Sequence, residues 1–160
     1  MEKAIEIFKN ALEMEVEAEI FYEKAAEITD DDESRMVFLE LSDMEDGHAH
    51  RIVERFKNTP FGQAFDADSW LKEVEDEGSK TIEVKVTDLI NQGDMRAILK
   101  SAIKMEEEAR DNYKRLSETF TDPEDIAYCN DLAAEEQQHV NSLTQLLRSL
   151  DMDPEERPEL

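Results

Sequence analysis

The sequence predicts an all-α protein, a four-helix bundle with a long crossover between the second and third helices. Three observations predict it. Four long segments carry apolar residues at steps of three and four. Glycine and proline number only four each in 160 residues, against 39% hydrophobic and 38% charged residues, which favours helix over sheet. The second pair of segments also repeats key residues of the first at one constant offset. A chain of this length suits one compact domain, read here as residues 1–150 with a flexible tail over 151–160.

The first helix spans about 3–28, along Ile5, Phe8, Ala11, Leu12, Ala18, Tyr22, Ala25 and Ala26. Glu15 falls on that apolar line, whereas most of its neighbouring glutamates fall off it. The run Thr29-Asp30-Asp31-Asp32 makes a turn and offers an N-cap to the second helix, about 32–57. The inner line of that helix is Phe38, Leu41, Glu45, His48, Ile52 and Phe56. Gly47 between the two polar residues costs a helix about 1 kcal/mol relative to alanine, and it leaves room for a close neighbour.

Residues 58–93 break the pattern. Pro60, Gly62, Gly78 and Gly93 punctuate a crossover in which Trp70 packs as a short lid and Thr81–Val86 alternates like an extended piece. Asp94 caps a third helix, about 94–119, along Leu99, Ala102, Glu106, Ala109, Tyr113 and Leu116. Asp122 and Pro123 start a fourth, about 123–150, along Tyr128, Leu132, Glu136, His139, Leu143 and Leu146.

Six polar residues interrupt these apolar lines: Glu15, Glu45, His48, Glu106, Glu136 and His139. Glu45 and His48, like Glu136 and His139, are three apart and so share a helix face. Glu106, Tyr113, Glu136 and His139 each lie 91 positions after Glu15, Tyr22, Glu45 and His48. In a glutamate-rich chain one Glu-x-x-His is weak evidence. Two in register, with two single inward glutamates in the same register, point to a duplication with a purpose. Buried charges need compensation, and two divalent cations would neutralise four carboxylates. One Glu from each of two helices and Glu-x-x-His from each of the other two is the ligand set of ferritin-like di-iron and di-manganese proteins. Iron or manganese suits these donors, with zinc also compatible. Two ions bridged by Glu15 and Glu106 are expected about 3.5–4 Å apart. Tyr22 and Tyr113, further along the same faces, either pack in the core or hydrogen-bond a ligand carboxylate.

The spacing Glu15-x-x-Ala18-x-x-x-Tyr22 together with the two Glu-x-x-His pairs resembles the rubrerythrin family of the ferritin-like superfamily. The resemblance covers the four helices, about two-thirds of the chain. It implies a ferritin-like bundle, a di-iron centre that reduces peroxide or O₂, and a homodimer, with exchange of helix pairs between chains as one arrangement. Two departures stand out. The chain has one cysteine, Cys129, so the four-cysteine rubredoxin site is missing and electrons must come from an external donor. Ala109 stands where the family tends to place a further inward glutamate.

Composition excludes several other classes. A single cysteine rules out a disulfide framework or zinc ribbon and suits a reducing cytoplasm. The N-terminal residues lack the basic start and apolar run of a signal peptide, and no window has the length of a membrane span. A net charge of −24 argues against nucleic acid and anionic membranes as partners. His50 is expected at the surface, Cys129 in or beside the core, and Met14 and Met105 in packing. Three functions fit: peroxide or O₂ reduction at a dimetal centre, ferroxidase activity with iron storage, and a non-catalytic acidic interaction module. The first is favoured.

Overall fold

The structure is a computed structural model that describes residues 2–64, 66–92 and 94–152. Its long helices are α1 (Glu2–Ile28), α2 (Asp32–Phe56), α6 (Met95–Ser117) and α7 (Pro123–Ser149). Each bound lies within two residues of its expected place. No strand occurs among the described residues. The cap signals work as read. Asp31 accepts a hydrogen bond from the Ser34 backbone N–H at 3.0 Å, Asp94 from Ala97 at 2.9 Å, and Asp122 from Glu124 at 2.9 Å, each satisfying a donor the helix cannot.

The crossover is helical where the sequence suggested an extended piece. It holds α3 (Pro60–Ala64), α4 (Ala67–Glu73), a π-helical turn (Val74–Gly78) and α5 (Ser79–Gln92), the last three continuous. Thr81–Val86 is therefore helix, not an extended piece. Its alternation of β-branched residues conceals a step-of-four stripe: Ile82, Val86 and Ile90 meet the core, while Val84 is 64% exposed. Gly78 does not break the chain either, because the wider π-helical turn carries the helix through it. Gly93 and residues 153–160 of the expected tail lie outside the described residues. Gly62 is required, since a Cβ there would stand 1.9 Å from the Phe56 carbonyl oxygen.

Gly47 differs. Its Cβ would meet only the end of the Arg51 side chain, 3.8 Å away, so no neighbour needs the room. Gly47→Ala should stabilise the protein by up to about 1 kcal/mol through helix propensity. Thermal unfolding of the metal-free protein reads this directly. A lower melting temperature would mean that the helix does close against something at this point.

The helices pair as two hairpins, α1 with α2 and α6 with α7, joined by packing of α1 on α6, with α5 lying along α1. The core falls into two apolar clusters. One gathers Phe8, Leu12, Ile52, Phe56, Leu116 and Leu132 with the partly buried Trp70, which covers it as expected. The other gathers Phe21, Phe38, Leu99, Leu143 and Leu146 with Val86 and Ile90 of α5. On α1 the first cluster ends at Val16 and the second begins at Ala18. On α2 they are separated by the stretch from Leu41 to Ala49. Between the clusters lies one polar layer.

Candidate metal centre

Each helix contributes to this layer from the position its periodicity dictates. Glu15 comes from α1, Glu45 and His48 from α2, Glu106 from α6, and Glu136 and His139 from α7. All six are buried, none more than 6% exposed. The ligand-type atoms fall into two groups, each lying within 4.8 Å of one another: Glu15, Glu45, His48 and Glu136, then Glu45, Glu106, Glu136 and His139.

The histidines aim the same nitrogen inward. His48 Nδ1 is 3.0 Å from Glu136 and 3.6 Å from Glu15, while His139 Nδ1 is 3.1 Å from Glu45 and 3.4 Å from Glu106. The two rings stack at 6.0 Å between centroids. Each histidine thus faces a glutamate of the other half, which the duplication requires if its two halves are related by a pseudo-twofold axis through the layer.

Close as these contacts are, Glu15 Oε2, Glu45 Oε1, both Glu136 oxygens and the Nδ1 atoms of His48 and His139 find no hydrogen-bond partner. Buried polar atoms without partners are costly and rare in native folds. Here they converge on shared points, and carboxylate oxygens with imidazole nitrogens are the donors that iron, manganese and zinc accept. The residues fit a pair of divalent cations.

One expected detail is reversed. Glu45 and Glu136, not Glu15 and Glu106, belong to both groups, so they are the carboxylates that two ions would share, and Glu15 and Glu106 would each serve one. The tyrosines agree with this. The Tyr22 hydroxyl donates to Glu106 Oε1 at 2.5 Å, and the Tyr113 hydroxyl donates to Glu15 Oε1, crossing between α1 and α6 in both cases. Each terminal carboxylate is thereby held by one oxygen with the other left facing inward.

The electrostatics match a site arranged for cations. Burial raises the Glu136 carboxyl to about 8, helped by Glu15 and Glu106. Burial and the same repulsion push Glu45 well above the usual carboxylate range. Burial works against charge on His48, but Glu136 and Glu15 outweigh it and hold the imidazole at about 10. Glu106 and Glu136 do the same for His139, also at about 10. Both phenols are raised well above their usual value, first by burial and then by the nearby carboxylates.

Glu135 is a site residue that sequence reasoning missed. Its half-exposed carboxylate lies 2.7 Å from His48 Nε2, on the outer side of the ring. A groove of about 900 Å³ between α2 and α7 reaches this point and both histidines. The remaining residues sit as expected: His50 is exposed beside Asp46 and Glu75, and Met105 packs partly buried against the core. Cys129 is fully buried, its thiol raised to about 12 by burial.

An all-α bundle whose core encloses two matched carboxylate–histidine groups belongs to the ferritin-like class of candidate metal proteins. More narrowly, the chain belongs to the rubrerythrin family, whose model matches residues 6–92 and 97–159. Comparisons with curated proteins and with solved structures gave no significant match. No helix among the described residues is long and apolar enough to cross a membrane.

Proposed function

We propose that the polar layer holds two iron ions and that the protein reduces hydrogen peroxide or O₂, drawing electrons from an external donor. The observation that carries this reading is the set of buried, unpartnered carboxylate and imidazole atoms converging from both halves. Iron bound there would supply the electrons for a two-electron reduction. The protein's own residues define where that chemistry happens. His48 and His139 present Nδ1, Glu45 and Glu136 face both positions, and Tyr22 and Tyr113 fix the terminal carboxylates. The two apolar clusters keep bulk water from the layer, and the groove admits a small oxidant. Manganese fits the same donors; zinc fits them without redox capacity.

A reducing cytoplasm suits this chemistry and the free thiol of Cys129. Assembly as a homodimer is carried from the family resemblance. Ferroxidase activity with iron storage is the second reading. Its support is the charge of −24, which draws cations to the surface, and the Glu33, Glu40 and Glu135 carboxylates along the groove.

Anaerobic loading with Fe(II), followed by separate challenge with H₂O₂ and O₂, separates the two. Faster optical change with H₂O₂ at two irons per chain is the expected result. Faster reaction with O₂ and uptake well beyond two irons would instead favour storage. Binding left untouched by Glu15→Ala and His139→Ala would remove both.

A further inference from the structure

The duplication makes the ligands of the two positions equivalent, but not their surroundings. Glu135 Oε2 stands 2.7 Å from His48 Nε2, while Nδ1 of the same ring points to the shared carboxylates. At the 91-residue offset, the residue in the other half that corresponds to Glu135 is Met44. Both border the same groove, and both are about half exposed. A thioether cannot do what a carboxylate does there. Among the described residues, nothing bonds His139 Nε2.

We propose that Glu135 is a positioning residue for His48 and makes the two metal positions unequal, the one served by His48 binding first and more tightly. The inference rests on the dimetal reading and adds an order of filling to it. The physical reason is general. A histidine ligand must be neutral, with its lone pair on the metal-facing nitrogen and its proton on the other. A carboxylate against that second nitrogen fixes the tautomer, orients the ring and raises its donor strength, an effect of roughly 10–100-fold in metal affinity. His48 has that carboxylate, and His139 has only the open groove.

Because Glu135 and Met44 lie on the surface of their helices, both can be replaced without disturbing the core. Anaerobic calorimetric titration of the metal-free chain with Mn(II), supported by the electron paramagnetic signal of bound Mn(II), reads each step. The wild type should show two steps, the first roughly 10–100-fold tighter than the second. Glu135→Ala should weaken the first step by that factor and leave the second unchanged. Glu135→Gln, whose amide oxygen can still accept from Nε2, should restore part of the loss. Met44→Glu should tighten the second step. Two equal steps in the wild type, or a Glu135→Ala effect spread over both steps, would overturn the proposal while leaving the dimetal reading intact. Absence of any stoichiometric binding in the wild type would overturn both.

Discussion

Glu136→Gln is expected to raise the melting temperature of the metal-free protein and, in the same molecule, to abolish its stabilisation by divalent cations. Glu136 has no exposed surface, and neither of its oxygens finds a hydrogen-bond partner. Glutamine keeps the shape and removes the charge. Removing the ionised form of a buried group without partners contributes on the order of 1–3 kcal/mol, and only where the carboxyl would ionise. The gain depends on pH with a definite sign. The Glu136 carboxyl is raised from its usual 4.5 to about 8, chiefly by burial. The folded protein therefore holds this proton more tightly than the unfolded chain does. Its stability contribution is intact below pH 4.5 and is lost as pH rises through 8. Glutamine, which does not titrate, should match wild type at low pH and exceed it increasingly toward pH 8. Metal binding responds the other way. Glu136 belongs to both ligand groups, so its loss removes a donor from each position at once. Thermal unfolding with a chelator and then with Mn(II) checks both halves. A destabilised metal-free variant would show that this carboxylate is satisfied by the fold itself.

Metal binding at neutral pH should release three or more protons: one from each histidine, one from Glu136, and a further share from Glu45, whose carboxyl is also raised. His48 and His139 sit at about 10, since their carboxylate neighbours outweigh the effect of burial. Both are therefore cationic at pH 7, and both must become neutral to offer Nδ1 to a cation. Each displaced proton adds up to roughly 10-fold per pH unit to the combined affinity for both ions, so three give up to roughly 1,000-fold. The stability of the metal-free protein runs against this. A histidine raised from 6.5 to about 10 contributes stability that is fully present below 6.5 and lost as pH rises through 10. Between these values the metal-free protein weakens while its affinity for metal grows. Calorimetry in buffers of different ionisation enthalpy gives the proton count directly. A count near zero would mean that both the imidazoles and the raised carboxyls have already lost these protons before metal arrives.

These opposed dependences describe a fold that gathers four carboxylates and leaves oxygens of three of them, Glu15, Glu45 and Glu136, without a hydrogen-bond partner. Functional sites are where a sequence departs from the rules that build its core, and the departure is what made this site legible. Glu15, Glu45, Glu106 and Glu136 each interrupt an apolar line, and the constant offset tied them to the histidines and tyrosines. Periodicity gives the face a side chain takes, not its depth or its reach across the bundle. For that reason the six residues of the polar layer could be named from sequence, while the two carboxylates common to both groups are Glu45 and Glu136 rather than the expected Glu15 and Glu106. Glu135 was hidden for a related reason. It lies one position before a ligand, on a half-exposed part of α7, and its contact with His48 is made between helices. The crossover was obscured by local composition: Thr81, Ile82, Val84 and Val86 look like a strand until the packing of α5 on α1 selects the step of four. By contrast, the caps at Asp31, Asp94 and Asp122 were readable because capping is local chemistry.

The central claim is that both halves build one centre for two divalent cations. Equilibrium dialysis of the metal-stripped chain against Mn(II) near neutral pH, with elemental analysis of the protein compartment, tests it most directly. Two ions per wild-type chain are predicted, with tight binding lost in Glu136→Ala. A wild-type chain that retains none, or a Glu136→Ala chain that retains two with unchanged affinity, would contradict it.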